Sequence, residues 1–152
     1  MYTTIFALLA AGAGCCIALQ ASANGKFRRN LGDDPQNALW AAFFSICGTI
    51  LTAALVMLIV RPPAPTGATL RETQWWNWIG GPLGALIVLA GAALTQRLGA
   101  AAFIALVVGG QLLCSLLLDH FALMGLSEQP VTWGRVLGAL LVVAGVLCIK
   151  FL

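Results

Sequence analysis

The sequence predicts an all-α integral membrane protein with five transmembrane helices. Of its 152 residues, 61% are hydrophobic and only 9% are charged, whereas a water-soluble domain carries about a quarter charged residues. The apolar residues are gathered into five segments of about 20 residues, the length at which a helix crosses a bilayer. We therefore expect a single five-helix transmembrane domain, with spans near residues 3–24, 37–60, 75–96, 99–120 and 131–150.

Composition also excludes several classes of function. The formal charge is only +3 and the basic residues are scattered, whereas a nucleic-acid-binding protein needs a clustered basic face. The five cysteines all fall inside apolar runs, with no metal-ligand spacing to histidine or acids. No nucleophile–base set or phosphate-binding loop is present. We expect no metal, no cofactor and no enzymatic activity.

Two connections are rich in charge or proline. Residues 25–36, GKFRRNLGDDPQ, hold the densest charge in the chain and predict a loop outside the membrane. Residues 61–74 contain three prolines and two arginines. Because proline lacks a backbone donor, this run predicts an extended, solvated connector.

The third span begins with an unusual Gly80-Gly81-Pro82 sequence. A helix starting only at Pro82 would rise about 22 Å, which is less than the roughly 30 Å hydrocarbon core. The helix therefore starts earlier with proline in its first turn or at a kink, or else the segment is broken, as at many transport sites. Gly80 and Gly84 form a small-xxx-small pair that favours close helix packing.

Polar side chains form stripes on the first and fourth spans. Gln111, Ser115 and Asp119 are spaced i, i+4, i+8 and so share one helix face. Gln20 and Asn24 end a similar stripe on the first span. Polar groups within an apolar span face protein or water rather than lipid. For these side chains, a structural interhelical hydrogen bond and the lining of a substrate cavity remain alternatives.

Asp119 is the only acid within an apolar run. A carboxylate at a helix C-terminus is disfavoured by the helix dipole. Either the helix continues through residues 121–124, or a cation compensates, for which Arg71 and Arg135 are the candidates. The acid would then be structural, or it would have a gating role. For the neighbouring His120, a surface position is the simplest interpretation.

Loop charges bear on orientation. With five spans, one side would hold three basic residues and the other five; the first set is Arg61, Arg71 and Arg135, and the second is Lys26, Arg28, Arg29, Arg97 and Lys150. The excess of Lys and Arg on cytoplasmic loops places the N-terminus away from the cytoplasm. The difference is small enough that insertion in both orientations, and an antiparallel pair, is the alternative.

Several short sequences together resemble a known family. They are Gln20 and Asn24, Pro35, Gly48, Trp78-Ile79-Gly80-Gly81-Pro82-Leu83-Gly84-Ala85, Arg97-Leu98-Gly99-Ala100, Gly110-Gln111-Leu112 and Asp119-His120-Phe121. In these residues the chain resembles, nearly from end to end, the YdcZ-type family of small bacterial inner-membrane proteins in the drug/metabolite transporter (DMT) superfamily. The resemblance implies an exporter of unspecified substrate.

The fifth span is similar to the dimerising helix of small multidrug resistance transporters. Gly138 and Gly145 are seven residues apart, as are glycines in that helix. The resemblance implies an antiparallel homodimer, in which this chain is one half of the inverted repeat of larger superfamily members. The sequence departs from these transporters because its first span has Gln20 and Asn24 but no proton-exchanging acid, which argues against proton coupling and cationic substrates.

Together these features predict a subunit of an inner-membrane transporter that works by alternating access. Its expected partners are the lipid bilayer, a second copy in the opposite orientation and a small-molecule substrate. Substrate would contact Gln20, Asn24, Gln111 and Ser115, with Gly81 and Pro82 nearby. The alternatives are a dual-topology channel and a non-transporting membrane assembly subunit.

Overall fold

The structure is a computed structural model that describes residues 2–151. These residues form six α-helices: α1 (Tyr2–Asn30), α2 (Asn37–Val60), α3 (Gly67–Arg71), α4 (Gly80–Leu98), α5 (Ala100–His120) and α6 (Trp133–Phe151). Short 3₁₀ turns lie at Trp75–Trp78 and Leu123–Gly125.

Among residues 2–151, five segments are long and apolar enough to cross a membrane, as predicted: Thr3–Asn30, Asn37–Val60, Trp75–Leu98, Ala100–His120 and Trp133–Phe151. The chain forms two compact units, an N-terminal unit that ends at Arg97 and a C-terminal unit that begins at Leu98. The all-helical membrane architecture is therefore confirmed.

The N-terminal unit packs through small side chains. Ala41 and Ala92 are fully buried and lie together with Ala38 in a cluster that joins α2 to α4. On α1, a Cβ atom added to Gly25 would lie 3.1 Å from Cγ of Gln96. Alanine and glycine allow helix backbones to approach closely, and such contacts replace the hydrophobic driving force that is lacking in lipid.

The C-terminal unit is a helical hairpin in which α5 and α6 pack against each other in antiparallel directions. Gly99 immediately precedes α5 as its N-cap and has a φ of +85°, a conformation that glycine adopts without steric cost. A Cβ atom added to Gly109 would lie 3.5 Å from Cγ2 of Val146, and Ala139 is buried on the facing helix. The two helices therefore meet along a face of small residues.

Helix α1 is longer than predicted. The expected loop at 25–36 was placed too early, because α1 continues to Asn30. Arg28 and Arg29 occupy its last turn, where cations interact favourably with the helix dipole. A helix of 29 residues rises about 43 Å and so extends beyond a hydrocarbon core of about 30 Å.

The connector at 61–74 is not extended throughout. The expectation that it lacks helix is wrong for residues 67–71, which form α3. The three prolines all precede this helix. Thr66 has extended backbone angles, and its hydroxyl accepts a hydrogen bond from the Thr69 backbone N–H, which is the arrangement of an N-cap.

The Gly80–Pro82 sequence lies in the first turn of α4. Ile79 links the preceding 3₁₀ turn to α4 in a right-handed helical conformation, and the Leu83 N–H donates to the Ile79 carbonyl at 3.0 Å. Of the alternatives left open by the sequence, the structure has the first-turn proline and an earlier start. Proline is tolerated there because its missing N–H would have no intrahelical partner.

Candidate functional site

An ion pair joins the two helices of the C-terminal unit. Nη1 of Arg135, near the start of α6, lies 3.5 Å from Oδ2 of Asp119, at the end of α5. The two side chains are 33% and 34% exposed. Arg135 thus supplies a cation beside the acid, and α5 ends at His120 rather than continuing through residues 121–124 as one helix.

Gln129 holds the same arginine from the connection between α5 and α6. Nη1 of Arg135 donates to the Gln129 carbonyl at 3.1 Å, and Nη2 donates to Gln129 Oε1. The Gln129 N–H in turn donates to the Asp119 carbonyl at 2.9 Å. These bonds fix the connection against both helix ends and orient the guanidinium.

A groove of about 420 Å³ lies between α5 and α6, and the Asp119–Arg135 ion pair forms one end of it. Its lining is mostly apolar with a polar end: Leu112, Ser115, Leu116, Asp119, Arg135, Gly138, Ala139 and Val142. Small-molecule sites typically measure about 300–1,000 Å³ and combine apolar walls with a few polar groups. The groove has both properties.

The three residues of the predicted polar stripe on α5 do not all lie in the groove. Ser115 and Asp119 line the groove, whereas Gln111 does not. The Ser115 hydroxyl donates to the Leu112 carbonyl at 2.9 Å, which leaves its oxygen able to accept. Gln111 is exposed, and within the described part of the C-terminal unit its side chain makes no hydrogen bond.

The predicted polar residues of α1 meet Ser45 of α2. Asn24 is buried, and its Nδ2 donates to Ser45 Oγ at 3.0 Å; Gln20 Nε2 lies 3.5 Å from the same oxygen. The structure brings Gln20 and Asn24 together within the N-terminal unit. A cavity shared with Gln111 and Ser115, which belong to the C-terminal unit, remains a prediction.

A second polar contact joins α1 to α4. Nη1 of Arg29 donates to Gln96 Oε1 at 3.1 Å. Beside it, Thr95 is only 2% exposed, and its hydroxyl has no hydrogen-bond partner within the described N-terminal unit. A Cβ atom added at Gly25 would lie 3.4 Å from Thr95 Cβ, so α1 passes close to this residue.

The remaining predicted residues lie on open surfaces. Beyond its chain neighbours and its own helix backbone, a Cβ atom added at Gly80, Gly81, Gly84 or Gly145 meets no described atom of its unit within 4 Å. The same is true at Gly138, which lines the groove. Pro82 is exposed. The ring of His120 lies edge-on to Phe121 with 4.7 Å between centroids, and it does not line the groove.

Sequence reasoning missed Gln129 and the apolar groove walls. Gln129 carries a weak signal, since it precedes Pro130 in a connection and resembles an ordinary turn residue. Leu112, Leu116 and Val142 cannot be told apart from lipid-facing residues by hydropathy, because lipid and groove are equally apolar.

Comparison with known proteins identifies the family. The family model described as "Putative inner membrane exporter, YdcZ" matches residues 5–148. The chain belongs to the YdcZ family. It is also 32% identical over 122 residues to the inner membrane protein YdcZ of Escherichia coli (strain K12), covering 72% of this chain and 81% of that relative. No solved structure matches.

Family membership confirms the resemblance found in the sequence. The description of the family is that of an inner membrane exporter. With five helices able to span a membrane, this YdcZ family member is a multi-pass protein of the inner membrane. The match covers α1 through most of α6, so the groove and the Asn24–Ser45 contact both lie within the family region.

Proposed function

We propose that this chain exports a small molecule across the bacterial inner membrane by alternating access, as one five-helix transmembrane domain. The observation that carries the proposal is the groove between α5 and α6 in a chain that matches an exporter family over residues 5–148. An apolar trough that ends in Ser115, Asp119 and Arg135 has the composition of a small-molecule site.

The exposure of the ion pair supports a role beyond structure. Arg135 and Asp119 are each about one-third exposed along the groove. Ionisable side chains in membrane spans are costly and usually face a cavity or one another. At this exposure both charged groups can be reached by a bound molecule.

The active form we propose is an antiparallel homodimer, so that two chains form the inverted repeat typical of DMT transporters. Gln111 is an exposed amide on an apolar helix and makes no side-chain hydrogen bond within the described C-terminal unit, and an amide facing hydrocarbon without a partner costs several kcal/mol. Gln20 is also exposed, and its Nε2 has one long contact, 3.5 Å from Ser45 Oγ. A second chain would supply those partners. The open surface at Gly145 would admit its close approach, and Gly138, seven residues earlier on α6 and in the groove lining, would lie at the edge of that contact.

In this dimer, Gln20, Asn24, Gln111 and Ser115 would line a substrate cavity near the membrane midplane. Gly81 and Pro82, in the first turn of α4, would border it. Asp119, His120 and Arg135 would form its end, where breaking and remaking of the ion pair gates access. The two chains would exchange conformations to expose the cavity to alternate sides.

Transport is tested by counterflow in proteoliposomes that contain only the purified chain. Vesicles are preloaded with unlabelled solutes from a panel of amino acids, amines, organic acids and sugars, and the entry of each labelled solute is followed. An exporter gives saturable entry that depends on the internal solute. Linear, unsaturable entry would indicate the channel instead, and an absence of flux with the whole panel would indicate the assembly subunit.

A further inference from the structure

We propose that the groove between α5 and α6 selects a small zwitterion with an apolar body, so that the bound molecule has no net charge. The inference rests on the proposed function only in taking this groove as the substrate site. The charges that line it carry the argument.

The groove is electrically balanced. Its lining contains one carboxylate, Asp119, and one guanidinium, Arg135, and no other ionisable side chain. A ligand with a single charge would leave one of these groups, or itself, uncompensated in an apolar site, and unpaired charge is costly there. A zwitterion pairs with both groups and leaves the total charge unchanged.

Both charged groups have bonding capacity to spare. The 3.5 Å separation between Arg135 and Asp119 is longer than the roughly 2.7–2.9 Å of a charge-assisted hydrogen bond. Within the described C-terminal unit, the Asp119 carboxylate accepts no hydrogen bond, and Nε of Arg135 donates none, since the arginine bonds run from Nη1 and Nη2 to Gln129. A carboxylate offers about four acceptor positions and a guanidinium five donors.

The arrangement of these groups orients the ligand. A ligand ammonium would donate to Asp119 and to the Ser115 oxygen, which lies one helical turn before it on the same face. A ligand carboxylate would accept from Arg135, which Gln129 holds in position. The apolar body would then lie along Leu112, Leu116 and Val142 in a groove of about 420 Å³.

Three probes that share a phenyl body test this selectivity: phenylalanine, the amine phenethylamine and the acid 3-phenylpropionate. Binding of each to the purified full chain in lipid nanodiscs is measured by isothermal titration calorimetry. Phenylalanine should bind saturably and about tenfold or more tightly than either singly charged probe, since each loses one hydrogen-bonded charge contact.

Two variants separate recognition from simple support of the fold. Asp119→Asn should shift the preference towards 3-phenylpropionate, and Arg135→Gln should shift it towards phenethylamine. If the ion pair were purely structural, each substitution would lower the affinity for all three probes equally. Asp33→Asn, at an exposed acid in the α1–α2 connection, is the matched control and should keep the order of the unchanged chain.

The proposal is overturned if phenylalanine does not bind, if either singly charged probe binds as tightly, or if the order of the probes is the same in both variants. The zwitterion proposal and the exporter proposal can be tested separately. Selective binding without counterflow contradicts the exporter and supports the zwitterion site. Counterflow that favours singly charged solutes supports the exporter and contradicts the zwitterion site.

Discussion

Nη1 of Arg135 lies 3.5 Å from Oδ2 of Asp119, across the turn that joins α5 to α6. Both side chains are about one-third exposed, and ion pairs with that much access to solvent contribute only about 0–1 kcal/mol to stability. The pair is therefore poorly explained as a device that holds the hairpin together. Its charges remain available for exchange with a bound molecule.

Removing the Ser45 hydroxyl tests the contact between α1 and α2. In Ser45→Ala, the buried Asn24 amide loses the acceptor that lies 3.0 Å from its Nδ2. Interhelical hydrogen bonds in membranes contribute about 0.6 kcal/mol and at most about 1.7 kcal/mol. The free energy of unfolding measured in SDS should therefore fall by an amount in this range. Thr52→Ala is the control, because Thr52 is exposed and bonds only the Gly48 carbonyl of its own helix. Equal losses in the two variants would contradict the interhelical role.

Gly25 tests the close approach of α1 to α4. A Cβ atom at Gly25 would lie 3.1 Å from Gln96 Cγ and 3.4 Å from Thr95 Cβ, so Gly25→Ala displaces Gln96 and weakens its bond to Arg29. Overpacking of this kind costs about 1–3 kcal/mol. Gly14→Ala on the same helix meets no atom within 4 Å in its unit, and it should leave the unfolding free energy unchanged or slightly raised. A Gly25→Ala chain as stable as the Gly14→Ala chain would refute the contact.

Gly145 tests the proposed dimer surface. A Cβ atom added at this position meets nothing within 4 Å inside the C-terminal unit beyond its own helix backbone, and we expect Gly145→Leu to leave the fold of one chain intact. It should nevertheless lower the dimer fraction measured by chemical cross-linking in membranes. Ala144→Leu, directed to a different face of α6, is the matched control. An unchanged dimer fraction in Gly145→Leu would place the interface elsewhere.

Single cysteines test dual topology. In a chain whose five native cysteines are replaced, Asp33→Cys lies in the α1–α2 connection and Ala64→Cys in the α2–α3 connection. The proposed dual topology predicts that an impermeant thiol reagent labels part of each population in intact cells and the rest only after lysis. Complete labelling of one site with none of the other would establish a fixed orientation.

Hydropathy was sufficient to predict the five apolar helices, because lipid requires about 20 apolar residues in each span. The sequence also named Arg135 as a cation that could lie beside Asp119. Helix ends were less predictable. Lys26, Arg28 and Arg29 look like loop residues, yet they extend α1 because cations are tolerated at a helix C-terminus.

The helix-to-helix contacts were beyond sequence reasoning. Ser45 is one of several small polar residues on α2, and whether Asn24 reaches it depends on how α1 and α2 are rotated about their axes. The same rotation decides that Ser115 lines the groove and Gln111 does not. Apolar groove walls and lipid-facing surfaces have the same composition, so no pattern in the sequence separates them.

Counterflow of labelled phenylalanine tests most directly whether this chain transports substrate through the Asp119–Arg135 groove. Proteoliposomes are prepared from the unchanged chain, from Asp119→Asn and from the Asp33→Asn control. We predict saturable counterflow for the unchanged chain and the control, and a loss of about tenfold or more for Asp119→Asn, since a charged contact is removed. Equal counterflow in all three preparations, or entry that never saturates, would contradict the account.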